Sequence, residues 1–220
     1  MSADGNQQLF VSNPEKWIEE TTVKDTDEDC LVCVVLFRGS WCKYDKYYLR
    51  KLGQFLNSKK DSENVKLIAW TSEGAAGAAK ADVEWGLTKD FGYAMVLGDD
   101  TNALAEYLKE DEILPKLQIK TPEEAKVQTL ITPGSHSNGI VMAGQVWWAH
   151  HGTPVFEWAS KFEEPTLGGP HRPDPTFVWE QVLKRKHALD IGNAIMPVHG
   201  DSIKMCTTDD DVNAAPYSVL

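Results

Sequence analysis

The apolar positions of this chain fall into segments whose period alternates between continuous and helical. Cys30 to Phe37, CLVCVVLF, is unbroken and β-branched, which suits a central strand covered on both faces. From Cys42 to Asn57, Tyr48, Leu49, Leu52, Phe55 and Leu56 recur at helical spacing while Lys, Arg and Gln fill the opposite side, predicting an amphipathic helix. VKLIAW, residues 65–70, repeats the buried-strand signal. The Ala-rich GAAGAAKADVEWG that follows favours helix despite Gly77. FGYAMVLGDD gives a short strand running into an acidic turn, and residues 101–108 read as a helix begun by a Thr or Asp cap. GIVMAGQVWWAH reads as two short strands joined in a tight hairpin at Ala143-Gly144, with Val146, Trp147 and Trp148 marking a sheet surface.

Gly152 to Pro175 is rich in Gly and Pro and is expected to be a long surface connection. Val178, Trp179, Val182 and Leu183 then lie on one side of a final helix over 175–189. At the other end, Pro14 to Glu20 reads as a short helix with Asn13 as its cap. The alternation of strand and helix predicts an α/β fold: a mainly parallel sheet with flanking helices and an antiparallel hairpin edge.

Length and composition refine that picture. At 220 residues and 42% hydrophobic, the chain fits one domain over 1–200, with its core at about 30–189. Residues 201–220, which include TTDDD, read as an acidic mobile tail. A net charge of −11 repels polyanions, so nucleic acid is not an expected partner. The first residues lack a basic stretch followed by an apolar one, and no apolar run is long enough to span a membrane. A cytoplasmic protein without a membrane partner is expected. Cys30, Cys33, Cys42 and Cys206 are too few and too irregular for a secreted disulfide framework, so reduced thiols are the default.

Among these thiols Cys42 has the position that carries chemistry. It follows the central strand directly and stands at the N-terminus of a helix, where unpaired backbone N–H groups favour thiolate. Asp45 lies one turn later. It reads either as a proton acceptor or polar substrate contact, or as a carboxylate placed for the helix dipole; near the sulfur it opposes thiolate formation. Arg38 reads either as the cation that holds a thiolate or anionic substrate, or as half of a surface ion pair. Cys30 and Cys33 sit within a strand and read as core residues, since free cysteines are often buried small hydrophobes. Cys206 is then the candidate resolving partner, within the chain or across a dimer. Trp41, Trp147 and Trp148 read as packing residues or as the walls of an aromatic pocket beside Cys42. His136, His150, His151 and His171 lack the short spacing of a zinc site, and no metal is expected.

VVLFRGSWCKYDKYYLRKL resembles the strand-loop-helix of the thioredoxin superfamily, in particular the peroxiredoxin-like (AhpC/TSA-type) branch with its Phe-Arg-Gly-x-Trp-Cys-x-x-Cys pattern. LIAWTSEG, WGLTKDFGYAMVLGDDTNALAEYL and LGGPHRPDPTFVWEQV extend the likeness over roughly residues 30–189. The resemblance implies a thioredoxin-like three-layer fold. It also implies a thiol-dependent oxidoreductase, acting on a small-molecule or thiol substrate, with Cys42 as nucleophile and Arg38 and Asp45 beside it. No resident cofactor is implied; an external thiol such as glutathione is the reductant, and a homodimer is the expected assembly. Trp41, Asn138 and Arg172 are its candidate substrate contacts. Three departures from the pattern stand out. Asp45 replaces the second cysteine, Val35 and Gly39 stand where peroxiredoxins place Pro and Thr or Ser, and Asn138-Gly139 occupies the usual cis-proline site, with Pro133 upstream. These departures leave two alternatives open: a redox-inactive binding module, or a lyase or transferase using Cys42 and Asp45.

Overall fold

Seven consecutive buried residues, Leu31–Phe37 (β1), make the strand around which the other elements are arranged. The computed structural model describes Lys16 and residues 30–60, 63–99, 119–120, 141–142, 145–159, 171–195 and 205–207. Apart from Lys16, the expected helices at Pro14–Glu20 and 101–108 lie outside the described residues, as do Pro133 and Asn138.

After β1 come Lys43–Asn57 (α1), Val65–Thr71 (β2), Gly74–Trp85 (α2), Leu87–Asp90 (α3) and Met95–Gly98 (β3). The chain continues through Ile119–Lys120 (β4), Val141–Met142 (β5), Gln145–His150 (β6) and Thr153–Ala159 (β7). It ends with His171–Pro173 (β8), Pro175–Asp190 (α4) and Met205–Thr207 (β9). Five strands form one mixed sheet in the order β3-β2-β1-β6-β7. β2 runs parallel to β1 and β3 parallel to β2, whereas β6 runs antiparallel to β1 and β7 antiparallel to β6.

The odd-numbered side chains of β1, Leu31, Cys33, Val35 and Phe37, join Tyr48, Leu49, Leu52 and Leu56 of α1 in the main apolar core. Ala81 and Trp85 of α2 and Val178, Trp179 and Val182 of α4 complete it, with Trp85 meeting Phe37 at 5.5 Å and Trp179 meeting Trp148 at 6.1 Å. Val32, Val34 and Leu36 on the opposite face are buried as well, together with Ile68, Trp70 and Trp147. Both faces are covered, which explains the unbroken apolar run of β1.

Three expectations are corrected. β5 pairs with β4, while β6 pairs with β1 and β7; Ala143-Gly144, the expected hairpin turn, lies outside the described residues. The hairpin turn is His151-Gly152, between His150 and its cross-strand partner Thr153. Both turn residues have positive φ, 48° and 74°, the geometry that matches a two-residue turn to the twist of its strands. The first part of the expected surface connection after Gly152, Thr153–Ala159, is strand β7 instead. Its Pro154 is tolerated because β7 is an edge strand, and the register shift at Trp148/Ala149 falls beside it. Finally, Met205–Thr207, expected in a mobile tail, pairs antiparallel with His171–Pro173. Backbone hydrogen bonding to β8 gives this short piece a fixed place.

Candidate functional site

Cys42 is the N-cap of α1. Its backbone is extended, its sulfur accepts a hydrogen bond from the Asp45 N–H at 3.4 Å, and its carbonyl accepts from Lys46 N–H at 3.0 Å. A cap of this kind satisfies one of the first-turn donors that no helical carbonyl can reach. The connection from β1 is tight. The Cys42 N–H donates to the Gly39 carbonyl at 3.0 Å, and Gly39 has φ +152°; a Cβ there would lie 2.4 Å from Nε1 of Trp41. Glycine is therefore required in the Arg-Gly step that turns the chain into the helix. Glu73, at the head of α2, fastens the same loop by accepting from Ser40 N–H at 2.5 Å and Ser40 Oγ at 3.1 Å.

Two arginines and one carboxylate surround the sulfur. Arg38 donates from a terminal guanidinium nitrogen to Cys42 Sγ at 2.8 Å, and its backbone N–H and Nε reach Asp45 Oδ2 at 2.9 and 3.5 Å. Arg172 donates to Asp45 Oδ1 at 2.6 Å from the other side. The Arg38 guanidinium also lies 5.6 Å from the Trp41 ring, and that of Arg172 lies 5.4 Å from the Trp158 ring. All four charged or ionisable side chains are sequestered: Cys42 and Asp45 are each 3% exposed, Arg172 2%, and the Arg38 side chain 8%. Arg38 is therefore not half of a surface ion pair.

This arrangement holds the Cys42 thiol in its protonated form. Burial, and then the Asp45 carboxylate, push its pKa up to about 11; Arg38, Arg172 and the Asp45 N–H act in the opposite direction without prevailing. For Asp45 the balance is reversed. Burial favours its neutral form, but Arg172 and Arg38 outweigh burial and hold its pKa below the ordinary carboxylate value. The pair of arginines thus serves the carboxylate first and the sulfur second.

The remaining candidates are distributed as follows. Trp41 is half-buried beside Arg38, whereas Trp147 and Trp148 are residues of β6, 3% and 0% exposed. Cys30 and Cys33 are buried free thiols, and burial raises the pKa of Cys33 well above its ordinary value. Cys206 lies on β9 in register with Arg172, so its backbone is one strand away from a residue that reaches Asp45. Among the described residues no group of three or more His, Cys, Asp or Glu could hold a metal ion, and no helix is long and apolar enough to cross a membrane. His150 instead bonds Asp190 through Nε2 at 2.9 Å, tying the β6–β7 hairpin to the end of α4.

Neither the role of Glu73 nor the Arg172–Asp45 pair has a signature in the sequence. Glu73 carried no signal beyond its place after a strand. The buried ion pair had only the Asp and Arg themselves, 127 positions apart.

No family model and no curated protein match the chain. Several solved structures are similar to it at low identity. One is the bacterioferritin comigratory protein of Xanthomonas campestris, described by its alkyl peroxide reduction activity: 10% identity, TM-score 0.45, covering 72% of this chain and 81% of that one. An uncharacterized conserved protein of Geobacillus kaustophilus has 13% identity and TM-score 0.42, covering 83% and 76%. BsSco, of the Sco family of cytochrome c oxidase assembly proteins, has 9% identity and TM-score 0.45, covering 76% and 90%. The chain's own strand order, strand directions and cysteine at the head of the first long helix make it, at the level of the fold, a thioredoxin-like α/β protein.

Proposed function

We propose that the chain is a thiol-dependent oxidoreductase of peroxiredoxin-like type, with Cys42 as its single nucleophile and an external thiol such as glutathione as reductant. The observation that carries this reading is the 2.8 Å contact from Arg38 to a sulfur that also caps a helix N-terminus. Both groups stabilise negative charge on sulfur and on a departing oxygen. In the first step the Cys42 thiolate attacks one peroxide oxygen and the O–O bond breaks. That oxygen remains as a sulfenic acid, and the other leaves with a proton as alcohol or water. A first external thiol then condenses with the sulfenic acid, releasing water and forming a mixed disulfide. A second thiol attacks this bond, restores Cys42 and departs as the oxidised disulfide.

In this reading Asp45 sets the resting state. Its charge keeps the thiol protonated, and a shift of the carboxylate toward Arg172 frees Arg38 for the thiolate. The protein works in a reducing compartment, the cytoplasm, as a homodimer and without a resident cofactor.

Turnover of an alkyl hydroperoxide with glutathione tests the proposal. Cys42→Ser is expected to abolish it and Arg38→Ala to lower it about tenfold, the value of one pKa unit of lost thiolate stabilisation. Undiminished turnover in Cys42→Ser would refute the reading. The burial and raised pKa of Cys42 favour a second reading, a redox-inactive binding module. That reading expects native Cys42 to alkylate no faster than a free peptide thiol.

A further inference from the structure

The outer face of α1 has a charge pattern that neither helix stability nor the core explains. Lys43, Lys46, Arg50 and Lys51 lie on the side away from the core residues Tyr48, Leu49, Leu52 and Leu56. They are spaced so that one solvent stripe runs from the Cys42 end along the helix. Asp45 is the acidic residue of α1, and it is buried in its pair with Arg172 and Arg38. Lys43, Lys46, Arg50 and Lys51 make no ion pair among the described residues. Instead the Lys43 ammonium lies 5.1 Å from the Tyr44 ring, the Lys51 ammonium 5.7 Å from the Tyr47 ring and the Arg50 guanidinium 4.9 Å from the Phe91 ring.

This placement opposes local stability. Lys43 and Lys46 fall in the first turn, where the helix dipole disfavours cations, and the last turn, which favours them, holds none. Lys46 and Arg50 are like charges four residues apart, which repel on a helix surface. The whole chain carries 33 acidic against 22 basic residues, so a one-sided cationic stripe is also against its composition.

We propose that this stripe is a docking surface for an acidic protein segment, on the grounds of charge complementarity and aromatic interleaving. From Lys43 to Lys51 the stripe offers a track of roughly 12 Å, long enough for a short extended run of carboxylates. The aromatic rings give such a segment apolar contact between the charges. The surrounding net charge of −11 disfavours a long polyanion such as nucleic acid, which extends beyond the stripe on both sides.

The test uses a fluorescein-labelled oligoglutamate peptide and anisotropy at low and high salt. Wild type is compared with Lys46→Glu/Arg50→Glu on the stripe and with Lys80→Glu/Lys89→Glu, an exposed pair elsewhere with the same change in net charge. The expected result is salt-sensitive binding that weakens about tenfold or more in the stripe variant and little in the control. No binding by wild type, or equal loss in both variants, overturns the proposal. Tighter, stripe-dependent binding of a single-stranded oligonucleotide overturns it in favour of nucleic acid. Peroxide oxidation of Cys42, read by mass in all three proteins, is expected to be unchanged. Absence of that oxidation with intact peptide binding refutes the oxidoreductase reading and leaves the docking surface.

Discussion

Replacing Asp45 with Asn removes a carboxylate charge beside the Cys42 sulfur while keeping the side-chain shape. Arg38 bridges the two groups, with one terminal nitrogen 2.8 Å from the sulfur and Nε 3.5 Å from Asp45 Oδ2; for a Coulomb estimate the charges lie on the order of 6 Å apart. Two unit charges at that distance interact by roughly 3 kcal/mol at an effective dielectric of about 20, equivalent to about two pKa units. Both arginines also become free to act on the sulfur. The Cys42 pKa is therefore expected to fall from about 11 by roughly one to two units, after some relaxation of the site. The same change leaves buried Arg172 facing an amide instead of a carboxylate. Breaking a buried pair in this way costs about 3–5 kcal/mol, with the retained amide oxygen favouring the lower end. The assay is alkylation of Cys42 as a function of pH, resolved from the other cysteines by peptide mass, with circular dichroism to show the native fold. An unchanged Cys42 profile in a folded Asp45→Asn protein would refute the electrostatic account of the resting thiol.

Other outcomes follow from the same geometry. Because the folded pKa of Cys42 is raised, its contribution to stability is present below the unfolded thiol value and is lost as pH rises through about 11. Wild type should therefore lose about 2–3 kcal/mol more than Cys42→Ser between pH 9 and 11 in denaturant titrations. Asp45 has a depressed folded pKa, so its contribution is present above the unfolded carboxylate value and is lost as pH falls through the lower folded one. Acid unfolding followed by circular dichroism should accordingly be shallower in Asp45→Asn than in wild type. Arg172→Met should destabilise the protein by about 3–5 kcal/mol in urea at neutral pH, because it leaves Asp45 buried beside Arg38 alone. His151→Asn should raise stability by about 0.5–1 kcal/mol, since Asn tolerates the left-handed turn position better; a clear loss would show that the tilted ring contact of His151 with His150, at 4.0 Å, matters more.

Elements with a strong local pattern were legible from the sequence. β1 is apolar throughout because both its faces are covered, and α1 shows its buried stripe in Tyr48, Leu49, Leu52 and Leu56. Cys42 at the head of α1 follows directly from that strand and helix. The β6–β7 hairpin was missed because its turn, His151-Gly152, has His in place of the Asn, Asp or Gly that at the first position gives a two-residue turn its strong sequence signal. β7 was obscured by Pro154, which only its position at the sheet edge makes admissible. At the site, Arg38 was legible as a neighbour of Cys42 through the short loop that joins them. The Arg172–Asp45 pair was not, because it depends on how the β8 segment folds back onto α1 and leaves no local periodicity to read.

The central claim is that Cys42 is a reactive thiol held in reserve, and its most direct test is treatment of the reduced protein with a small excess of hydrogen peroxide. Intact mass and cysteine state are followed over time in wild type and Cys42→Ser. The account predicts oxidation confined to Cys42, seen as a sulfenic acid or as a Cys42–Cys206 disulfide, and its loss in the variant. Slow oxidation spread over several cysteines, unaltered by Cys42→Ser, would contradict it.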